Sequence, residues 1–235
     1  MSEQTKHYQG PEHALPLELI DRLSPMVDSY EAEVRLLLPR LPEPLQYSWF
    51  NEESSMVVPG YATGGWAYSA SIVSLAIDRA QLAEQAHWQQ QLRETVFHEL
   101  THIMQPQYAY VDDDGQPLWN PLLGSAIYEG VASVFEATYA RPDKSLPYYA
   151  DYTQCSPADL KRWTDEIYDL SQSEEPRWEL QQQWSFYHDQ HQQHHLLYKV
   201  GTYLVTKALD QDSARSVADY ASMPWRAILA ELGSL

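Results

Sequence analysis

Val96-Phe97-His98-Glu99-Leu100-Thr101-His102 contains a complete H-E-x-x-H. On a helix each residue advances about 100°, so His98 and His102 stack one turn apart on one face, with Glu99 at its edge. Two imidazole nitrogens can then reach one Zn²⁺ at about 2.0–2.1 Å, and Glu99 is left to take a proton from the metal-bound water. Residues 80–105 form the longest helical pattern in the chain, ending at Gln105-Pro106, and the motif occupies its last two turns. Val96, Phe97, Leu100, Ile103 and Met104 give that helix its apolar surface. The alternative is an ordinary solvated helix face.

Chance supplies H-E-x-x-H readily in a chain with 9 His, so a third ligand is the test. A catalytic zinc site takes three protein ligands and leaves a fourth position for water. Downstream, Ile127-Tyr128-Glu129-Gly130-Val131-Ala132 places a carboxylate early in a second helix, followed by small residues that let the helix pack closely. Glu129 lies 27 residues after His102, enough for a helix exit, a loop and a return. It is the candidate third ligand, against the plain reading of a surface glutamate in a first turn. Glu136, two turns further on, is either a group that orients a ligand histidine or a solvated carboxylate.

Upstream, residues 1–14 read as a loose arm. Apolar residues from Leu15 to Leu38 recur at helical spacing, with Ser24-Pro25 as a cap and first-turn proline, giving two helical pieces or one kinked helix. Pro39, Pro42 and Pro44 end that pattern. Residues 45–78 then read as a sheet, with strands at Leu45 to Phe50, Met56 to Val58 and Ser71 to Ile77; Gly60, Gly64 and Gly65 mark a flexible connection where backbone must turn tightly or approach something closely. Beyond the motif, residues 106–124 read as a loop, and Asp112-Asp113-Asp114-Gly115 within it as a turn, because the acidic alternation of a calcium loop is missing. A helix follows from Ser125, as N-cap, to Ala140. Helices near residues 157–172, 190–209, 213–222 and 224–233, with an ambiguous aromatic stretch at 176–187, make the rest a helical lobe over 157–233. These elements give an α+β class in one domain, with the metal-ligand helices over residues 80–140.

At 235 residues and 44% hydrophobic side chains, one sizeable core is expected. The formal net charge of −18 argues against nucleic acid and against anionic membranes, because phosphates are repelled. The polar N-terminus and the lack of any apolar run near 18 residues make a cytoplasmic protein the expectation. Cys155, the only cysteine, excludes an internal disulfide and reads as structural.

H-E-L-T-H followed by E-G-V-A resembles the gluzincin metallopeptidases, and more closely a poorly characterised bacterial group of predicted zinc-dependent proteases. In that group a Gly-rich segment and a strand ending in Asp precede the zinc helix, matching Gly60-Tyr61 through Ile77-Asp78, and a Tyr-x-x-Gly helix lies near the C-terminus, matching Tyr198-Lys199-Val200-Gly201. The resemblance covers about residues 57–208. It departs from thermolysin-like relatives one turn after the ligand glutamate, where Ser133 stands in place of an Asp. It implies a zincin-like fold, with a small, twisted, mainly antiparallel sheet, an active-site helix and a mostly helical C-terminal half. It also implies one zinc per chain on His98, His102 and Glu129, Glu99 as general base, and a peptide or protein substrate paired along the strand Ser71 to Ile77, unless that is a plain inner strand. The oxyanion donor it suggests is Tyr198, with Tyr203, His194 and His195 as alternatives.

His188, His191, His194 and His195 form a cluster in which 188, 191 and 195 can share a helix face, read as an adventitious metal site or a solvated surface. For the chain as a whole the expectation is a zinc peptidase. A non-catalytic peptide-binding module on the same fold is its competitor.

Overall fold

The computed structural model describes residues 6–9, 15–51, 61–84, 86–105, 121–172 and 177–233. The chain groups into two compact units, Met1–Met104 with Tyr139–Pro142, and Gln105–Thr138 with Asp143–Leu235. Helices and a small mixed sheet make the fold α+β. Among the described residues no helix is long and apolar enough to cross a membrane.

In the first unit, β1 (His7–Gln9), α1 (Leu17–Leu37) and β2 (Gln46–Asn51) form a strand, crossover helix and parallel strand, with His7 opposite Tyr47. β2 also pairs in parallel with β4 (Ile72–Ile77), and β3 (Thr63–Ser69) pairs antiparallel to β4, giving the order β1-β2-β4-β3. Four expectations change here. The sheet is not mainly antiparallel, because crossover through α1 lets β1 and β2 run the same way. Part of the arm at residues 1–14 is the strand β1. The segment containing Gly64 and Gly65 is a strand rather than a flexible connection. And Ser71 to Ile77 supplies an inner strand, so it has no free edge for a substrate; its near-continuous apolar run suits burial between two neighbours. The expected strand at Met56 to Val58 lies outside the described residues.

α1 is one helix with Pro25 inside it, and Ser24 donates to the Ile20 carbonyl at 2.7 Å instead of capping a new start. α2 (Arg79–Glu84) begins after Asp78, whose Oδ1 accepts the N–H groups of Ala80 and Gln81. α3 (Trp88–Met104) carries the H-E-x-x-H, packs against α1 and lies over β3. The long helix expected over residues 80–105 is therefore two helices.

A buried ionic group ties α1 to the sheet. Glu31, 5% exposed, accepts from the Tyr47 hydroxyl at 2.7 Å and from Arg35 Nε at 2.8 Å, and Lys6 stands 3.1 Å away. Burial pushes the Glu31 pKa up, but those donors outweigh it and hold the carboxyl below its ordinary 4.5. A carboxyl depressed on folding stabilises the folded chain above its unfolded pKa, and that stabilisation is lost as pH falls through the folded value. Glu31→Gln is therefore expected to lower the thermal midpoint at pH 7 and to flatten its fall below about pH 4.5. Thermal melts of both chains from pH 7 to pH 3 measure this.

In the second unit, α4 (Leu122–Phe135) is the central element, continued by a π-helical turn at Glu136–Ala140. Its sequence is apolar or small almost all round, the composition of a helix surrounded by others. It packs against α5 (Pro157–Leu170), α6 (Arg177–Ser185), α7 (Leu196–Gln211), α8 (Val217–Tyr220) and α9 (Trp225–Glu231). α4 begins at Leu122 after Pro121, so Ser125 sits buried inside the first turn and is not the N-cap. α4 and α7 meet backbone to backbone. A Cβ built on Gly130 would fall on the Gly201 carbonyl group, and one built on Gly201 would fall on the Ala126 carbonyl oxygen. The glycine of Tyr-x-x-Gly is thus explained by packing.

Between α6 and α7 the chain forms a hairpin, β5 (Tyr187–His188) with β6 (Gln193–His194). The expectation that His188, His191 and His195 share a helix is overturned. Gln192 and His195 both have positive φ, 51° and 58°, which breaks any helix there and delays α7 to Leu196.

Candidate metal centre

His98 and His102 sit on one face of α3, their ring centroids 4.8 Å apart and the residues 7% and 3% exposed. The spacing that places them so is i, i+4 on a regular helix, as expected from sequence. Two imidazoles one turn apart present two nitrogen ligand atoms on the same side of the helix.

A second stripe of α3 explains how Glu99 is held. Gln91, Thr95 and Glu99 follow each other at four-residue steps, and each bonds to the segment beside it. Gln91 Oε1 accepts the Ala62 N–H at 2.8 Å, Thr95 Oγ1 meets Thr63 Oγ1 at 2.9 Å, and Glu99 Oε2 accepts the Ala67 N–H at 2.8 Å. Three polar side chains thereby fasten β3 along the helix. Gly65 makes the approach possible, since a Cβ there would come within 2.6 Å of Glu99 Cγ and 2.9 Å of Thr95 Cγ2. β3 is also the outermost strand of the sheet on its side among the described residues. The edge strand, the ladder and the carboxylate of Glu99 form one construction.

Arg93 and Glu94 anchor α3 as well. Arg93 reaches Glu33 at 2.7 Å, the Tyr139 carbonyl at 3.0 Å and the Ala140 carbonyl, and stacks over Phe97 at 4.4 Å. Glu94, 5% exposed, takes Arg141 at 2.8 Å and Gln90 at 2.9 Å. These contacts fix the rotation of α3, and with it the direction of the two histidines.

No family model, curated protein or solved structure matches the chain.

In the second unit, Glu129 lies on α4, where it is the one residue of the helix that is not buried. Glu136 is 1% exposed at the start of the π-helical turn and accepts the Tyr149 hydroxyl at 2.5 Å, which overturns the solvated reading. Ser133, one turn after Glu129, is fully buried. Tyr198, on the first turn of α7, stacks edge-on with Tyr149 at 5.3 Å and lies 6.1 Å from His195. His195 gives its Nδ1 to the Ser185 carbonyl at 2.9 Å, and burial lowers its pKa, so it is a neutral ring at pH 7. Of the alternative oxyanion donors, Tyr203 packs against Tyr152 at 5.6 Å with Lys207 over its ring, and His194 is exposed beside Tyr187. Burial pushes the Cys155 thiol up, so it is not an activated nucleophile.

Three residues of consequence were missed from sequence. Thr95 and Gln91 carry a readable signal, the four-residue steps that end on Glu99. Tyr149 carries none beyond its place after Pro147, and its role comes from a fold contact with Glu136.

Proposed function

We propose that this protein is a zinc-dependent peptidase of zincin-like build, in which His98, His102 and Glu129 hold one Zn²⁺ and Glu99 is the general base. The observation that carries the reading is the buried His98 and His102 pair one turn apart on α3, with Glu99 clamped to an edge strand. Two imidazoles and a carboxylate are a donor set of catalytic zinc. Bound zinc supplies Lewis-acid activation of a water and polarisation of the scissile carbonyl.

The chain's own residues do the rest. Glu99 accepts a proton at its carboxylate and returns it to the leaving amine; the Ala67 N–H on Oε2 fixes the plane from which it does so. An extended peptide adds along β3, whose exposed Trp66 and Tyr68 stand on one face of the strand and contact alternate substrate side chains. That corrects the strand expected to take the substrate: it is β3, not β4. Tyr198 is the proposed donor to the oxyanion, positioned by its contact with Tyr149.

A non-catalytic peptide-binding module is the second reading. One observation favours it: the Ala67 amide engages Glu99 as it would a carboxylate with a purely structural task. Hydrolysis separates the two. The metal-free chain, titrated with zinc, is expected to gain activity on an unstructured peptide library, and a chelator is expected to remove it. Binding of the peptides without cleavage at any zinc level supports the module instead.

A further inference from the structure

We infer that Glu166, His188 and His191 form a second zinc site in the C-terminal unit, clipping the β5–β6 hairpin to α5. One ligand atom from each of the three lies within 4.8 Å of the other two. His191 Nε2 already meets Glu166 Oε2 at 2.8 Å, and the rings of His188 and His191 have centroids 4.4 Å apart. Two ligands on a tetrahedral zinc, each at about 2.0–2.1 Å, are separated by about 3.3–3.5 Å. The cluster therefore closes around an ion with side-chain shifts of about 1 Å. The His191 amide meets His188 Nδ1 at 3.4 Å, at the long limit of a hydrogen bond and too weak to compete with a metal–nitrogen bond.

The setting is built rather than incidental. Glu166 projects from α5, while both histidines come from the β5–β6 hairpin, Tyr187 to His194, held in shape by left-handed Gln192. A non-glycine residue in that region costs free energy, which the surrounding contacts must offset. Trp184, fully buried, stands edge-on to His188 at 4.5 Å and to His191 at 5.7 Å, and Trp163 lies 6.1 Å from His191. His188 is 3% exposed, and Glu166 keeps 30% of its side chain in solvent, so the cluster meets solvent at Glu166. Three protein ligands with one position toward water is zinc stoichiometry. The competing account is a plain His191–Glu166 ion pair with His188 packed beneath it.

This inference does not rest on the proposed peptidase. The test uses the full chain stripped of metal and titrated with Zn²⁺, read by bound metal and by circular dichroism. H98A/H102A is expected to keep one zinc per chain at a Kd of about 1 µM or tighter. Adding H188A/H191A to it is expected to weaken that binding more than about 100-fold, since even outer partners of metal ligands contribute 10- to 100-fold. E166Q, which keeps shape and loses charge, is expected to weaken it less. In the unaltered chain, Co²⁺ is expected to quench indole fluorescence and Zn²⁺ to reverse the quenching by displacement, a readout that needs no variant to fold. If H98A/H102A binds no zinc while folded, or if the unaltered chain shows no Co²⁺ quenching, the second site does not exist. If instead H98A/H102A binds as much zinc as the unaltered chain, it is the first site that fails and the second that stands.

Discussion

Glu99→Gln is expected to abolish peptide hydrolysis while leaving zinc in place. The amide keeps the size of the carboxylate, so the close fit of Glu99 above Gly65 is preserved. Its oxygen can still accept from the Ala67 N–H, so β3 stays fastened. What is lost is the ability to take and return a proton. Positioned acid–base groups contribute about 10²–10⁴ in rate, and kcat is expected to fall by that factor with KM little changed. Zinc content equal to the parent chain, together with that loss, identifies a base. Zinc content equal to the parent with undiminished turnover removes Glu99 from the mechanism.

Gly201→Ala is expected to be the most damaging single-methyl change in the second unit. The new Cβ meets the Ala126 carbonyl oxygen, which belongs to backbone in the middle of α4 and cannot rotate away. The helices must separate, and α4 and α7 form the main packing contact of that unit. Overpacking usually costs about 1–3 kcal/mol, and a clash with backbone belongs at the top of that range or above it. For a chain of this size about 3 kcal/mol lowers the thermal midpoint by roughly 6–12 °C. Gly233→Ala is the control: its φ of +72° adds strain, but a Cβ there meets nothing within 4 Å, so about 1 kcal/mol is expected. Thermal melts of the two variants check the difference. Equal, small losses would contradict the close crossing of α4 and α7.

Gly130 and Gly201 show what a sequence discloses. Gly130 comes directly after Glu129 and Gly201 three residues after Tyr198, both singled out for chemistry, and the two glycines look like parts of functional motifs. In the fold their immediate task is to let two helices touch. The helix carrying His98 and His102 was legible because i, i+4 spacing and its apolar flank are local properties, and the same holds for Glu129 on its helix. Strand direction was not legible. Nothing within Gln46–Asn51 or Ile72–Ile77 states which way a neighbour runs; the crossover through α1 decides it. β3 was hidden because Gly64 and Gly65 lower strand propensity, and α3 lying over Gly65 explains why glycine is needed there. The hairpin at His188 was hidden for the opposite reason. Its left-handed positions are Gln192 and His195, residues that signal no turn.

The central claim is that zinc at His98 and His102 drives peptide hydrolysis. The measurement that meets it most directly is the zinc titration of the metal-free chain with H98A/H102A alongside, following both bound metal and cleavage of an unstructured peptide. H98A/H102A is expected to stay folded, to bind one zinc fewer per chain and to cleave nothing at any zinc concentration. A folded H98A/H102A that cleaves as the parent does, or that loses no zinc, would contradict it.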